Sequence, residues 1–512
     1  HIAGEVYAAV LDTVEAIVGA VKWLFNAIKT AIEAIIRFVQ FLFEWDDIRR
    51  TKNILHNLVI LGTKNQISQL SQIKTDFNSS VAAVEQSVNS WAGFEEWSKL
   101  GDPASETAAG SSANPAEGQT SGSQLLSSHF RNHASDLTIV GDAPSASVAE
   151  DLVTKLLDAL SAEGEVLGDF YSRLKSLATD FSSLSIEEVL RHLAGIFVDG
   201  LLSSAQVVVD ALIDFIQSFA DEAMSLLDAK LHIPVISDIL NFLGVPDISF
   251  LDLFMWIGAV AYTVVYKVVN NEPPFPDDDN SAALIAASSW DELEQLLSST
   301  STAPRALSPT VQQSIFTSAN AMSGMILFIG NIVLVLEAEA PTAGNTLSSL
   351  AAVIKLIVVA SVGAGNLLAP KDPIKDSGMK VLSRVCFGLD IATSFLGFTP
   401  VYGKLATTTS KFPDLLPSDG RAVSAVFKSL LLIPKLMVTS YHLYELTSEE
   451  AGAARSAAIV GEVANLTGAV ATISYAAAVN DKELESRQVP IGIMALCVDL
   501  WSGLLVADAL IH

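Results

Sequence analysis

Single polar side chains set inside long apolar runs are the residues of this sequence with the most chemistry to offer. Asp252 precedes the run Leu253–Tyr266, Asn331 sits within Met325–Leu336, Lys355 within Leu350–Leu368, and Asp390 within Val381–Leu396. Glu462, Asn465, Asp499 and Asp508 behave likewise. A charge in such surroundings is costly unless it finds a partner or gives up its charge. Three duties fit the pattern. These residues could be caps and buried partners in a packed core, or line the interior of a membrane-resident bundle. They could also be groups that lose charge at low pH in a chain that refolds to insert.

Other residue types point less far. There is no GxGxxG, no P-loop, no GxSxG elbow and no HExxH, so no enzyme class is indicated. His192 lies four residues beyond Glu188, which is not the Glu-x-x-His spacing of a di-metal bundle, and no cofactor is expected. His1 could chelate copper through its amine and imidazole, but copper sites of that kind use a second histidine on a β-sandwich. His129 and His133 lie four apart in a Ser/Gly-rich stretch and read as solvated. Asp277–Asp279 lacks the alternating spacing of a calcium loop and reads as an acidic loop with a helix N-cap. Cys386 and Cys497 both sit in apolar runs; buried thiols and a single disulfide are both open. Sequons occur at Asn78 and Asn465, the second in an apolar helix where a glycan would not fit.

Composition narrows the class of partner. Of 512 residues, 50% are hydrophobic and 17% charged, against about 25% charged in an average soluble domain. Thirty Lys and Arg against 57 Asp and Glu give a net charge of −27, a field that repels phosphate backbones. Nucleic acid is excluded as a partner. Anionic bilayers are disfavoured at neutral pH, and less so as the pH approaches the pI of about 4.5. The first residues carry acids and no basic n-region, so they do not read as a signal peptide, and a start at His1 reads as processed or excerpted.

The elements that would position these residues are helices. Val10, Val14, Ile17, Val21, Leu24, Ile28, Ile32, Ile35, Val39 and Leu42 form one apolar stripe, and a second pattern runs from Asp46 to about Trp91 with a break at Gly62. Residues 1–100 therefore read as a long helical hairpin. Residues 101–147 read as a Ser/Gly/Pro-rich linker with a short helical turn around Leu125 to His133. A middle helical unit spans 148–276, with a capping box at Ser185/Glu188 opening a helix to about Leu227, and Ser249 capping another. An acidic loop and short helix follow over 277–310, then an apolar bundle over 311–512 with helices expected at Val311–Leu336, Thr346–Leu368, Val381–Leu396, Ala422–Leu446, Ala451–Val479 and Ile491–Ile511. No stretch sustains the period-two alternation of a strand, so the fold class is all-α with no sheet.

Two stretches are similar to segments of large, functionally unassigned multidomain proteins, mostly fungal and bacterial. One is Phe41-Leu-Phe-Glu-Trp45-Asp-Asp-Ile-Arg-Arg-Thr-Lys52. The other joins Ile233-Pro-Val-Ile, Ile248-Ser-Phe-Leu-Asp252-Leu, Tyr266-Lys and Pro274-Phe-Pro276. The resemblance implies a helical part of a longer chain and transfers no functional residue.

The leading expectation is a non-enzymatic, secreted or surface-associated helical protein that assembles with itself or a protein partner. One alternative is a membrane-active, pore-forming type of protein, with Phe250–Lys267 and Met325–Leu368 as inserting segments and Asp252 and Lys355 facing the interior. Most apolar runs look shorter than the roughly 20 residues a span needs. The other alternative is a carrier of an apolar ligand.

Overall fold

The computed structural model describes residues 40–41, 44–100, 138–140, 158, 164–197, 201–227, 230–232, 249–297, 309–340, 346–368, 374–397, 420–481, 483 and 485–511. The first stripe (Val10 to Val39), the linker apart from Thr138–Val140, its turn at 125–133, His1, His129 and His133 lie outside them.

The fold is all-α, as the periodicities predict. The helices are α1 (Trp45–Ser68), α2 (Leu70–Ala92), α3 (Gly164–Asp180), α4 (Ile186–Phe197) and α5 (Leu201–Leu227). They continue as α6 (Phe250–Asn270), α7 (Asp279–Ala286), α8 (Trp290–Leu297), α9 (Pro309–Glu339) and α10 (Thr346–Leu368). The chain closes with α11 (Ser377–Phe395), α12 (Gly420–Leu430), α13 (Leu432–Leu446), α14 (Ala453–Asn480) and α15 (Gln488–Ile511). One feature corrects the expectation of no sheet. Thr138–Val140 (β1) pairs antiparallel with Lys230–His232 (β2), a ladder of three residues too short to show alternation.

Local chemistry sets the boundaries. Ser185 N donates to Glu188 Oε2 at 2.7 Å and Glu188 N to Ser185 Oγ at 3.2 Å, which is the capping box at the head of α4. Ser249 Oγ accepts from Asp252 N at 3.1 Å, and Asp278 caps α7 by accepting from Ser281 N at 2.8 Å. The helix expected to run from 186 to about 227 is two helices, α4 and α5, bent by 80°. The break expected at Gly62 falls at Gln69 instead. Gly62 is buried inside α1 against the Trp290 ring, which a Cβ there would meet at 3.2 Å. That glycine serves close approach and not a turn.

Amphipathic and uniformly apolar helices divide the labour. Leu167, Phe170, Leu174 and Leu177 bury one face of α3, and Val189, Leu190, Leu193 and Phe197 one face of α4. By contrast α15 carries apolar residues around its whole circumference. It packs most heavily on α14 and α9, antiparallel to both, while α3 also packs on α14 and α4 on α13. One hydrophobic cluster runs from Ile54 to Ala509, so α1 and α2 share a core with the C-terminal helices.

Candidate functional site

Among the described residues, three helices are long and apolar enough to cross a membrane by length and composition: Arg421–Leu446 (α12 with α13, 26 residues), Ala454–Asn480 (27 residues) and Gln488–Ala509 (22 residues). These are longer than the apolar runs the sequence suggests, for a physical reason. The polar residues that interrupt the runs bond back into their own helices. Ser429 Oγ donates to Ala425 O at 3.0 Å, Thr467 Oγ1 to Val463 O at 2.8 Å, and Thr472 Oγ1 to Gly468 O at 3.0 Å. Each hydroxyl is satisfied without leaving its helix, so it does not break the apolar surface.

Contacts between these helices use small residues and a few polar bonds, the means by which helices associate where apolar surface alone gives no preference. A Cβ on Gly324 of α9 would lie 2.5 Å from Ser502 O of α15, and Ser502 Oγ donates to Gly324 O at 2.7 Å. The Trp501 ring lies flush against Gly468 of α14, 3.2 Å from where a Cβ would stand.

The four residues singled out in the sequence are not brought to one place. Asp252 lies at the rim, where α6 meets α1. It pairs with Lys52 at 2.5 Å and stands 3.7 Å from His56. Burial works to raise its carboxyl, but the Lys52 ammonium, with His56 and the Ser249 hydroxyl, holds it below the usual carboxylate range. Asn331 joins α9 to α15, donating to Ala495 O at 3.0 Å and to Asp499 Oδ1 at 2.7 Å. The Lys355 ammonium sits 4.5 Å from the centroid of the Tyr475 ring, on which it makes a cation–π contact. Burial pushes it down, with Glu337 opposing. Asp390 of α11 accepts from Lys435 Nζ at 2.7 Å.

Sequence reasoning missed the feature to which Asp390 belongs. Arg421, Lys428, Lys435 and His442 recur every seven residues through α12 and α13, placing basic groups along one side of an otherwise apolar segment. Three of them meet acids on three different helices. Arg421 donates to Glu337 O at 2.7 Å and Ala340 O at 3.0 Å, and its Nη1 lies 3.6 Å from Glu337 Oε1. Those carbonyls end α9, where a cation is favoured. Lys435 meets Asp390 of α11, and His442 Nδ1 lies 2.8 Å from Glu462 Oε1 of α14. The heptad spacing was the signal that could have found this ladder.

Cys386 and Cys497 are both free and buried, so no disulfide joins them. Burial pushes the Cys386 thiol up, with Asp390 adding to the effect, which leaves it protonated and a poor nucleophile. A narrow apolar cleft lined by Leu174, Phe181, Leu193, Leu436, Leu466 and Ile473 among others marks the seam between α3/α4 and α13/α14.

The expected inserting segments are placed differently from the span-length helices. The apolar part of α6 is the shorter stretch Phe254–Val264. Met325–Leu368 crosses from α9, which bends by 44° near Phe328, into a separate helix.

Comparison of the chain with family models, with curated proteins and with solved structures returns no match, so nothing is carried over from a relative.

Proposed function

We propose that this chain is a non-enzymatic, membrane-active helical bundle that holds an apolar hairpin, α14–α15, among other helices and delivers it into a lipid bilayer. The observation that carries this reading is the arrangement of the span-length helices. Of the most apolar window of each, 83% in Arg421–Leu446, 61% in Ala454–Asn480 and 50% in Gln488–Ala509 is buried within the bundle. A hairpin of this length satisfies all its backbone bonds internally, so it can exchange protein contacts for lipid without exposing peptide groups. The seam over α13 and α14 is apolar, so parting it breaks dispersion and burial but no ion pair among the cleft-lining residues.

Acidity favours the step. Lowering the pH toward the pI of about 4.5 removes the −27 charge that opposes approach to an anionic membrane surface. A secreted or surface location fits a protein that meets a membrane from outside, and self-assembly fits pore formation.

The test is dye release from liposomes at pH 7.4 and pH 5, with protease treatment of the vesicle-bound protein. Release at pH 5, with a protected fragment containing 454–509, is the expected outcome. A protein that stays monodisperse and releases no dye at either pH is a helical scaffold instead.

A further inference from the structure

Where α9 and α15 pack along each other in the apolar bundle, one shared side is only partly covered among the described residues. On α9, among the described side chains over 325–336, Phe328 is exposed and Met325, Ile332, Val335 and Leu336 are half-buried along one helix face, Met325 and Val335 resting in part against the core. On α15 the matching line is Val489, Ile493 and Leu496, with Gly492 beside it. The helices are antiparallel, since Asn331 bonds Ala495 and Gly324 meets Ser502. That register sets Phe328 beside Asp499 and Val335 beside Ile493, so the two lines form one strip. Phe328 is 58% exposed and Val489 66%, two of the six large apolar side chains left exposed among the described residues.

Charge decides what can cover the strip. Met325–Leu336 and Gln488–Val498 contain no charged residue. Asp499, half-buried at the edge, is bonded by the Asn331 amide at 2.7 Å. A second copy would bring another −27 against the first, and an uncharged strip offers no salt bridge to offset that repulsion. An anionic lipid surface is opposed in the same way. A neutral, zwitterionic bilayer is opposed by neither. Met325 to Leu336 extends ~16 Å along the helix, about half the thickness of a bilayer's hydrocarbon core, which suits a surface that lies on the membrane before anything crosses it.

We infer that the α9–α15 strip is a docking surface for neutral phospholipid, the site at which the chain seats on a bilayer before the hairpin enters. This rests on the membrane-active reading and adds the lipid class and the first point of contact.

The experiment is flotation of the full chain with phosphatidylcholine vesicles at pH 7.4 and physiological salt, comparing wild type, the double variant Phe328→Asp/Val489→Asp and Ile285→Asp. Ile285 is a third exposed apolar residue, on α7, away from the strip. All three positions are exposed, so folding should survive, and circular dichroism checks it. The double variant should lose about tenfold or more in partitioning while Ile285→Asp keeps it, since seating a Phe and a Val against acyl chains supplies more than one decade of affinity. A second probe uses the fact that both native thiols are buried. Phe328→Cys labelled with bimane should be quenched by lipids brominated along their acyl chains.

Equal partitioning of wild type and double variant, or no binding of wild type to neutral vesicles, overturns the inference. So does a wild-type dimer in sedimentation that the double variant dissolves while bimane stays unquenched, because the strip then pairs two copies. Dye release at pH 5 separates the two proposals. Release by a double variant that binds like wild type removes the strip and keeps the hairpin. Strip-dependent binding with no release at either pH removes the hairpin and keeps the strip.

Discussion

Asp252 and Arg421 show two ways in which a charge is tolerated beside apolar helices. Asp252 is partly exposed, and its carboxyl is held below the ordinary value near 4 by Lys52. A carboxyl lowered in the folded state stabilises the fold above its unfolded value, and that contribution disappears as the pH falls through the lowered value. Asp252→Asn should therefore lower the urea midpoint at pH 7 by the equivalent of about 1 kcal/mol, with the gap from wild type closing at strongly acid pH. A gap of the same size at both pH values would assign Asp252 a packing role only. Arg421 is fully buried and shares Glu337 with Ser348, whose Oγ donates to it at 3.1 Å. Arg421→Met should cost about 3–5 kcal/mol because it strands the Glu337 carboxylate, whereas Arg421→Met with Glu337→Leu should recover most of that. Thermal unfolding of the single and double variants measures the difference. The single polar residues themselves were legible in the sequence as isolated interruptions of apolar runs. Their partners were not, because Lys52 and Asp252, or Lys435 and Asp390, sit on helices far apart in the chain and only packing chooses between them.

At the scale of the element, glycines separate helices that must touch from helices that need only exist. Gly324 lets α9 and α15 approach until a Cβ would stand 2.5 Å from a backbone oxygen. Gly324→Ala should destabilise by about 1–3 kcal/mol through overpacking. Gly195, inside α4, has nothing within 4 Å of its missing Cβ. Gly195→Ala should stabilise by about 0.5–1 kcal/mol through helix propensity alone. Opposite signs in urea unfolding are the expected result, and equal signs would place the α9–α15 contact elsewhere. Sequence periodicity located most of these helices well: Thr346–Leu368 was read to the residue, and α14 differs by two residues at its start and one at its end. It failed at joints. Gly62 reads as a breaker but is buried beneath Trp290. The expected helix Ala422–Leu446 is two, α12 and α13, meeting at Leu431, because Pro434 in the first turn of α13 has no N–H to give the Leu430 carbonyl four residues back.

For the molecule as a whole, the balance lies between apolar helices and the amphipathic ones that cover part of them. The same α15 that packs on α14 and α9 also leaves a line of apolar residues uncovered, so burial in the bundle is partial by construction. A bundle of this kind has two environments that suit its most apolar helices: the interior it occupies and the interior of a bilayer. Acidification should shift the preference toward lipid as the net charge falls, and release should then be steepest between neutrality and the pI of about 4.5. Release that is equal at pH 7.4 and pH 5 would mean that discharge is not the trigger.

The sequence by itself determined the all-α class, the acidic charge that disfavours nucleic acid, the caps at Ser185 and Ser249, and the isolated polar residues of the apolar helices. All of these follow from neighbours within a few positions, where periodicity and capping act. Tertiary structure alone decided which acid meets which base along the heptad ladder, and which sides of α9 and α15 stay only partly covered. Those outcomes join segments 20 to 178 residues apart in the chain, and an apolar stretch carries no mark of which neighbour will bury it.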